Sequence, residues 1–332
     1  MADLHIGSSA YIKLKIDELG LIDDIIHKAN KNNTDIIFIS GDIFDKKPNK
    51  KDLDRLNTIL SNFIGKIFII FGNHDFESNC TNIDFPDNIY VFGTSISNIY
   101  LDDLNLRIWG YSYPDRFIKN DIYKEFFNDF ELSSDELNIL IAHGGDTLHI
   151  PSDYSFLSTK FDYVAFGHIH KYNTPCKNIV YPGSLIPQDI TEIGKHGYIM
   201  GSLGKSLQYE LIPTSTQYEI IDFDITGYTD IERLYIELKY SLDDDIRYIV
   251  NLIGVKSKNL HFDINHLSSI NGIEKINDYS TIGYDYNELE KYNENNILGV
   301  FIKELKNSTH PLADMALEYG VKAFLEAKED AN

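Results

Sequence analysis

The chain has 332 residues, 43% of them hydrophobic and 24% charged, and carries a formal net charge of −21. This composition is that of an ordinary globular protein, and no apolar stretch approaches the roughly 20 residues needed to span a bilayer, which excludes a membrane-spanning helix. The net charge argues against binding long duplex DNA through a generally basic surface. The length predicts one large domain and a smaller one.

The first 71 residues alternate between helical and strand patterns. Residues 12–31 carry apolar side chains at helical spacing and predict an amphipathic helix. A strand over 35–40, a helix over about 50–62 and a strand over 66–71 follow. This alternation predicts parallel strands covered by helices.

After residue 85 the pattern changes to short apolar runs. These are Ile89–Phe92, Leu106–Tyr111, Asn138–Ala142, Tyr163–Phe166, Ile179–Tyr181, Tyr198–Ser202 and Leu207–Ile212. An α/β fold in which a mixed two-sheet sandwich is flanked by helices would account for both halves.

Pro213–Gln217 is the best candidate for a linker and divides the chain into domains 1–213 and 214–332. The elements predicted beyond it are a strand over 221–225, a helix opened by the capping box Thr229-Asp-Ile-Glu232, a strand over 247–255, and helices over about 294–306 and 311–328.

Polar side chains that suit metal ions follow the ends of several predicted strands. His168 and His170 come after the run Phe161–Gly167, where Gly167 is expected to let the backbone turn. Alone, these histidines would fit a hydrogen-bonded loop equally well. The same pattern recurs in Asp3-Leu-His5, Gly41-Asp42-Ile-Phe-Asp45, Gly72-Asn73-His74-Asp75 and His143-Gly-Gly. Because strand ends in such folds meet at one edge of the sheet, the sequence predicts a metal site there.

The ordered set Asp-x-His, Gly-Asp-x-x-Asp, Gly-Asn-His-Asp, His, Gly-His-x-His resembles the calcineurin-like metallophosphoesterases. The run Phe161–Lys171, followed by Tyr181-Pro-Gly-Ser184, is similar to the SbcD-type nucleases, the bacterial branch of the double-strand-break repair exonucleases. The resemblance covers about the first two-thirds of the chain. It implies a four-layer αββα sandwich, a smaller α+β capping domain followed by C-terminal helices, and a metal-dependent phosphodiesterase that cuts DNA.

The resemblance also assigns metal ligands, residue by residue. The first ion would take Asp3, His5 and His170, and the second would take Asn73, His143 and His168, with Asp42 as a bridge between them. Such mixed ligation admits two divalent ions, with Mn²⁺ the leading choice and Fe or Zn as alternatives.

His74 lies beside a ligand and would donate a proton to the departing alkoxide. Asp45 resembles the second acid of Gly-Asp-x-x-Asp, which in many relatives orients this histidine and would favour its protonated form. The alternative for Asp45 is a helix cap or a turn residue. Asp75 is expected to be structural.

The other histidines belong to no such set. His149 is expected in a loop near the mouth of the site, and the surface is expected for His27, His196, His261, His266 and His310. Ser184 lies on a turn that borders the substrate groove in the related family, although turn formation alone could explain Pro182 and Gly183.

The resemblance implies DNA as substrate and an SbcC-type coiled-coil ATPase as partner, engaged near the C-terminal helices. Those helices would otherwise pack on the capping domain. Lys46, Lys47, Lys50 and Lys51 follow Asp45 and could contact phosphate, or could form a solvated loop. A homodimer is compatible with the sequence and no membrane partner is expected. The two cysteines lack CxxC spacing and suit free thiols in the cytoplasm.

Two other functions stay open. The acidic composition favours a phosphoesterase for small nucleotides or other phosphate metabolites, and an inactive scaffold of the same fold is the third reading. The related proteins carry an apolar strand directly before Asp-x-His, whereas only Met1 and Ala2 precede Asp3. We therefore expect domain 1–213 to lack its first strand, through a late start site or a truncation, and to hold Asp3 and His5 less rigidly.

Overall fold

The computed structural model describes residues 1–81, 83–204, 206–214, 217–244, 246–257 and 263–329. They divide into two compact units, 1–220 with 242–249 and 221–241 with 250–332. The predicted linker contains Ser215 and Thr216, which lie outside the described residues, as does His261. The domain boundary at 213 therefore stays a prediction.

Unit 1 contains helices packed on two sheets. The helices are α1 Ser9–Leu14, α2 Glu18–Lys31, α3 Lys50–Ser61, α4 Asn73–Glu77, α5 Ile122–Phe127 and α6 Tyr154–Lys160. The strands are β1 Ile36–Ser40, β2 Lys66–Ile70, β3 Ile89–Val91, β4 Ser97–Leu101, β5 Leu106–Gly110, β6 Leu137–His143, β7 Tyr163–Gly167, β8 Asn173–Cys176, β9 Ile179–Tyr181, β10 Gly197–Leu203 and β11 Leu207–Pro213. Strands β12 Gln217–Asp224 and β13 Ile246–Ile253 contribute residues to both units.

The two main sheets pack face to face. One is the parallel sheet β1-β2-β3, and the other is the six-stranded sheet β4-β5-β6-β7-β9-β8. Phe68 and Ile70 from the first sheet share an apolar cluster with Ile108, Ile139 and Ile141 from the second. Helices α2 and α3 cover the other face of the first sheet, and α5 and α6 lie against the second. The predicted α/β fold with a helix-flanked two-sheet sandwich is confirmed.

The single helix predicted over 12–31 is wrong. Residues 9–14 and 18–31 form two helices, because Lys15 adopts a left-handed conformation (φ 58°) that ends α1. The Glu18 carboxylate then accepts a hydrogen bond from the backbone N–H of Gly7 (2.9 Å), which ties the start of α2 to the segment before α1. The apolar spacing continues across the break, so the sequence pattern did not reveal it.

The edge of β1 that faces away from β2 borders an apolar cavity of about 570 Å³. Side chains of β1, β6, β7 and the hairpin β10–β11 line it, together with Met1. The first ladder contacts at this edge come from Met1, whose amine donates to the carbonyl of Phe38 (2.9 Å) and whose carbonyl accepts from Ser40 N–H (3.1 Å). A strand running parallel to β1 ahead of Met1 would continue this pairing.

We expect a five-residue apolar extension fused ahead of Met1 to raise the melting temperature above that of a Ser/Asn extension of equal length. Ordering the backbone costs the same entropy in both extensions. The difference between the two melting temperatures therefore measures the burial of apolar side chains, which contributes roughly 1.5–3 kcal/mol for each side chain that enters the cavity. Differential scanning calorimetry measures it. Equal melting temperatures would mean that the cavity takes no strand.

Unit 2 combines a small sheet with helices. Its helices are α7 Ile231–Tyr240, α8 Ile264–Ser268, α9 Tyr286–Tyr292, α10 Ile297–Lys306 and α11 Ala313–Glu329, and its further strands are β14 Val255–Lys256, β15 Ile273–Asp278 and β16 Thr281–Ile282. Strands β12, β13 and β15 form one sheet. The expected capping box at Thr229 is wrong, since the Asp230 carboxylate caps α7 by accepting from Glu232 N–H. Within the described part of the chain, no helix is long and apolar enough to cross a membrane.

Candidate metal centre

The carboxyl ends of strands from the two main sheets of unit 1 meet at Ser40, the last residue of β1. Its carbonyl accepts a hydrogen bond from Nδ1 of His143 (2.8 Å), and its hydroxyl donates to the carbonyl of Ala165 in β7 (2.9 Å). The loops that follow β1, β2, β6 and β7 therefore converge, as the ends of parallel strands do. These loops carry the predicted site residues Asp42, Asn73, His143, His168 and His170.

The segment before α1 runs beside the loop that follows β1. Asp3 N–H donates to the carbonyl of Gly41 (3.1 Å) and His5 N–H to that of Asp42 (3.0 Å). The Asp3 carboxylate also accepts the backbone N–H of His168 (2.8 and 3.0 Å). Asp3 and His5 are buried, and these hydrogen bonds hold them against two strand-end loops, which argues against the expectation that both are held less rigidly.

Asp3, His5 and His170 form one cluster, the first ligand group. Each offers a ligand atom within 4.8 Å of the others. Nε2 of His5 and Nε2 of His170 lie 2.9 Å apart. Two ring nitrogens this close must share a proton or face a common cation. These are the three residues that the resemblance assigns to the first ion.

Asp42, His143 and His168 form the second ligand group, again with ligand atoms within 4.8 Å. Nε2 of His143 lies 3.3 Å from Oδ2 of Asp42 and 3.1 Å from the amide oxygen of Asn73. Asn73 therefore joins this group, as the resemblance implies.

Four of the candidate ligands have left-handed backbones, namely Asp3 (φ 50°), His5 (φ 43°), Asp42 (φ 51°) and His168 (φ 93°). Such conformations are costly for residues with a Cβ and concentrate at functional sites. The expectation that Gly167 makes the turn after β7 is wrong, because His168 has the positive φ. Gly167 instead permits close approach, since a Cβ there would lie 1.9 Å from the carbonyl oxygen of Ser40.

The buried charges act strongly on one another. Burial lowers the pKa of His5 to about 3. Burial also disfavours the charged form of His143, but the Asp42 carboxylate outweighs this effect and raises the pKa of His143 to about 9. Burial would raise the pKa of Asp42, yet the charge of His143 holds it well below its usual range. Asp42 is thus a buried carboxylate that stays ionised.

The residues present fit a pair of divalent cations. Oδ2 of Asp42 is buried and makes no hydrogen bond to any described residue. Nε2 of His143 lies 3.3 Å from this oxygen without forming a hydrogen bond, and a cation would complete the contacts of the buried carboxylate. The hydrogen bond from Nδ1 of His143 to Ser40 leaves Nε2 facing Asp42 and Asn73, as in other metal-binding histidines. Imidazole, carboxylate and amide donors together suit Mn, Fe or Zn.

Asp75 ties together the loops that follow β1 and β2. Its carboxylate accepts the backbone N–H groups of Gly72 (2.9 Å), Phe44 (2.9 Å) and Ile43 (3.2 Å). Burial and, to a smaller extent, the charge of Asp42 raise the pKa of Asp75 to about 7, although the three hydrogen bonds act in the opposite direction. The geometry agrees with the structural role expected for this residue.

We expect Asp75→Ala to lower the free energy of unfolding by about 3–5 kcal/mol, because three buried N–H groups lose their acceptor. Urea denaturation measures this loss, and Asp54→Ala on the exposed face of α3 is the matched control. A loss below about 1 kcal/mol would mean that the two loops hold their positions without Asp75.

The predicted Asp45–His74 pair is looser than a hydrogen bond. Oδ1 of Asp45 lies 3.8 Å from Nδ1 of His74 and 3.9 Å from Nδ1 of His5. The His5 and His74 rings meet edge to face at 4.8 Å. The carboxylate therefore lies near both rings, and the His74 side chain is 41% exposed at the edge of the cluster. Catalytic roles for Asp45 and His74 stay predictions.

Two carboxylates beside the cluster were not predicted as site residues. Asp146 accepts a hydrogen bond from Nε2 of His168 (2.8 Å), and Glu192 accepts one from Nδ1 of His170 (2.7 Å). Asp146 directly follows His143-Gly-Gly at the end of β6, whereas Glu192 lies beyond the turn at Ser184, and each is 22 residues from its histidine. The position of Asp146 just after a strand could have predicted it as a site residue, whereas no feature of the sequence around Glu192 predicts a role at the site.

The surface position expected for His196 is wrong. His196 is buried and contacts the Ser184 hydroxyl through Nδ1 (3.0 Å) and the Glu192 carbonyl through Nε2 (3.1 Å). Ser184 N–H donates to the carbonyl of His170 (3.1 Å), so the Tyr-Pro-Gly-Ser turn supports the loop after β7. His149 is partly exposed beside the second ligand group, with its ring 4.4 Å from that of His168.

Comparison with known proteins agrees with this geometry. Residues 1–172, more than half of the chain, match the model of the calcineurin-like phosphoesterase family. The chain is 25% identical to the uncharacterized metallophosphoesterase YhaO of Bacillus subtilis over 60% of its own length and 55% of that protein. It is 27% identical to a protein of Invertebrate iridescent virus 6 named as a phosphoesterase, 244L, over 56% of the chain and 71% of that protein.

The chain thus spans little more than half the length of YhaO. Members of the family generally bind two divalent metal ions, and the two ligand groups supply candidate residues for both. The chain belongs to the calcineurin-like phosphoesterase family.

Proposed function

We propose that this protein is a metal-dependent phosphodiesterase of the SbcD type that cleaves DNA near strand ends. One observation carries the hydrolytic part of the proposal. Two groups of ligand residues lie next to each other, and the buried carboxylate of Asp42, with one oxygen free of hydrogen bonds to any described residue, belongs to one of them. Such an arrangement is typical of two-metal phosphoester hydrolysis.

The ligand groups would hold two divalent cations, with Mn²⁺ the leading choice, and the cations would supply a water of lowered pKa and neutralise phosphoryl oxygens. The protein residues do the rest. Oδ1 of Asp42 accepts the backbone N–H of His74 (2.9 Å), which fixes the start of α4 against the cluster. The exposed ring of His74 holds a proton for the departing alkoxide. Oδ1 of Asp45 lies 3.8 Å from Nδ1 of this ring.

Exposed lysines beside the site support DNA as the substrate. Lys46 and Lys47 directly follow Asp45, and Lys50 and Lys51 begin α3. All four are exposed. They give a locally positive edge on a chain whose net charge is −21, and a phosphate backbone would bind to such an edge.

The negative net charge favours a second candidate function, that of a phosphoesterase for small nucleotides or other phosphate metabolites. A net charge of −21 repels long polyanions more than small ones. Hydrolysis of bis-p-nitrophenyl phosphate is expected from both candidates. Cleavage of end-labelled single-stranded or duplex DNA in Mn²⁺ is expected only from the nuclease. Hydrolysis of the small ester with every DNA end left intact would reject the nuclease.

The lysines allow a sharper test. Lys46→Glu/Lys47→Glu is expected to lower DNA cleavage about tenfold or more at 50 mM salt, with a smaller effect on the small ester, because two phosphate contacts are lost. Lys28→Glu/Lys31→Glu, an equal charge change on α2, is the matched control. Equal effects of the two double variants on DNA cleavage would argue against a lysine-lined DNA path.

We further propose that the C-terminal helices of unit 2 bind the coiled-coil ATPase of an SbcC-type complex. Helices α10 and α11 share a core but leave Ile297, Val300, Met315 and Tyr319 more than half exposed. Exposed apolar patches favour protein partners. Met315→Glu/Tyr319→Glu is expected to abolish co-purification with a co-expressed SbcC-type ATPase and to leave hydrolysis of the small ester intact. Failure of the wild type to co-purify with this ATPase would contradict the proposal.

A further inference from the structure

Two carboxylates outside the ligand groups face the two histidines of the Gly-His-Ile-His motif. We propose that Asp146 and Glu192 are positioning residues that fix the tautomers of His168 and His170, so that each ring presents a different nitrogen to its cation. This inference rests on the proposed two-metal site. It assigns one carboxylate to each ligand group.

The Asp146 carboxylate is held in place from the backbone side. Its Oδ1 accepts the backbone N–H groups of Leu148 (2.7 Å) and His149 (2.9 Å). Its Oδ2 faces Nε2 of His168 at 2.8 Å. An ionised carboxylate can only accept, so Nε2 of His168 carries the proton. Nδ1 is then the ring nitrogen of His168 with a free lone pair, available to the second ligand group.

Glu192 repeats this arrangement on the other histidine with the ring reversed. Its Oε2 accepts the backbone N–H of Gln188 (2.8 Å), and its Oε1 faces Nδ1 of His170 at 2.7 Å. Nδ1 therefore carries the proton. Nε2 of His170 is left for the first ligand group, where it lies 2.9 Å from Nε2 of His5.

The use of Nδ1 in one ring and Nε2 in the other explains how two histidines separated by one residue can serve two cations. Side chains two residues apart would otherwise point the same way from an extended segment. The left-handed backbone of His168 and the two carboxylates separate them. Hydrogen bonds of this kind commonly affect metal affinity 10–100-fold.

Asp146, His149 and His168 could also be read as a third metal site, because their ligand atoms lie within 4.8 Å of one another. The hydrogen bonds argue against this. Both oxygens of Asp146 already accept from His168, from Nδ1 of His149 (3.0 Å) and from two backbone N–H groups. No lone cation is needed to satisfy the carboxylate, so we assign it to positioning.

The amide variants Asp146→Asn and Glu192→Gln give a sharp test. The backbone N–H groups hold one oxygen of each carboxylate, so the amide oxygen must take that place and the NH₂ group must face the histidine. The NH₂ group donates, which moves the ring proton to the nitrogen that the cation needs. We expect ¹⁵N NMR of the metal-free protein at pH 9 to report the reversed tautomer of His168 in the first variant and of His170 in the second.

Calorimetric titration of the full chain with Mn²⁺ gives the second readout. Wild type is expected to bind two equivalents. In each single variant, the affinity for one Mn²⁺ ion is expected to fall 10–100-fold while the affinity for the other is unchanged. In the double variant, both affinities are expected to fall. Asp23→Asn, which removes a carboxylate 3.8 Å from His27 on α2, is the matched control and should change neither.

The outcomes distinguish a failure of the proposed metal site from a failure of the proposed positioning roles. Failure of the wild type to bind Mn²⁺ would reject the proposed metal site itself. Two tight equivalents in both variants, or unchanged tautomers, would overturn the positioning roles and leave the metal site standing. If the wild type binds a third Mn²⁺ ion that Asp146→Asn loses, then Asp146, His149 and His168 would instead form a third metal site.

Discussion

Asp42→Asn is expected to abolish the binding of two cations and to lower phosphodiester hydrolysis about 10³-fold or more, since divalent ions supply several kcal/mol to such reactions. The Asp42 carboxylate is buried and ionised, and its Oδ2 accepts no hydrogen bond from a described residue, although Nε2 of His143 lies 3.3 Å away. The amide keeps the oxygen that accepts His74 N–H. It replaces the free oxygen by a donor and removes the charge. Hydrolysis of bis-p-nitrophenyl phosphate and metal content by elemental analysis measure the effect.

The substitution conserves size, so the variant is expected to fold, and circular dichroism checks this. Asp52→Asn at the exposed start of α3 is the matched control and should retain full activity. Hydrolysis by Asp42→Asn within about threefold of wild type would mean that the cluster does not carry the chemistry.

His74→Ala is expected to lower kcat about 10²–10⁴-fold with two cations still bound, the range typical of a lost general acid. The reason is position, because His74 follows a candidate ligand, exposes its ring and has Asp45 3.8 Å away. A general acid matters most when the leaving group is a poor one. The loss should therefore be large for an alkyl phosphodiester or DNA and much smaller for a p-nitrophenyl ester.

This dependence on the leaving group separates proton donation from a general disturbance of the site. His27→Ala, an exposed histidine on α2, serves as the control. Equal losses on both substrates, or loss of metal along with activity, would assign His74 to binding and not to proton transfer.

Local patterns predicted the strands and the loops of the site well. The strand ends that carry Asp42, Asn73, His143 and His168 could be located from apolar runs that stop at a polar residue, because each run is buried in a sheet. Chain order alone then predicted that these ends meet, since parallel strands share an edge. The helix break at Lys15 could not be predicted, because the apolar spacing continues through it.

Other parts of the site could not be predicted, because they depend on contacts between residues far apart in sequence. Glu192 faces His170 only because the turn at Ser184 brings the later segment back toward β7, and His196 is buried by the same turn. Asp75 has an ordinary position in its motif, and its three N–H partners come from two different loops. The short helices α8 and α9 in unit 2 were missed, since each spans too few turns to show a clear period.

The number of metal ions bound per chain decides whether these loops form a two-cation centre. Purified wild type dialysed against Mn²⁺ and measured by plasma mass spectrometry is expected to hold two equivalents, and Asp42→Asn close to none. Wild type with no bound metal, or Asp42→Asn with the same content as wild type, would contradict a two-cation centre built from these loops.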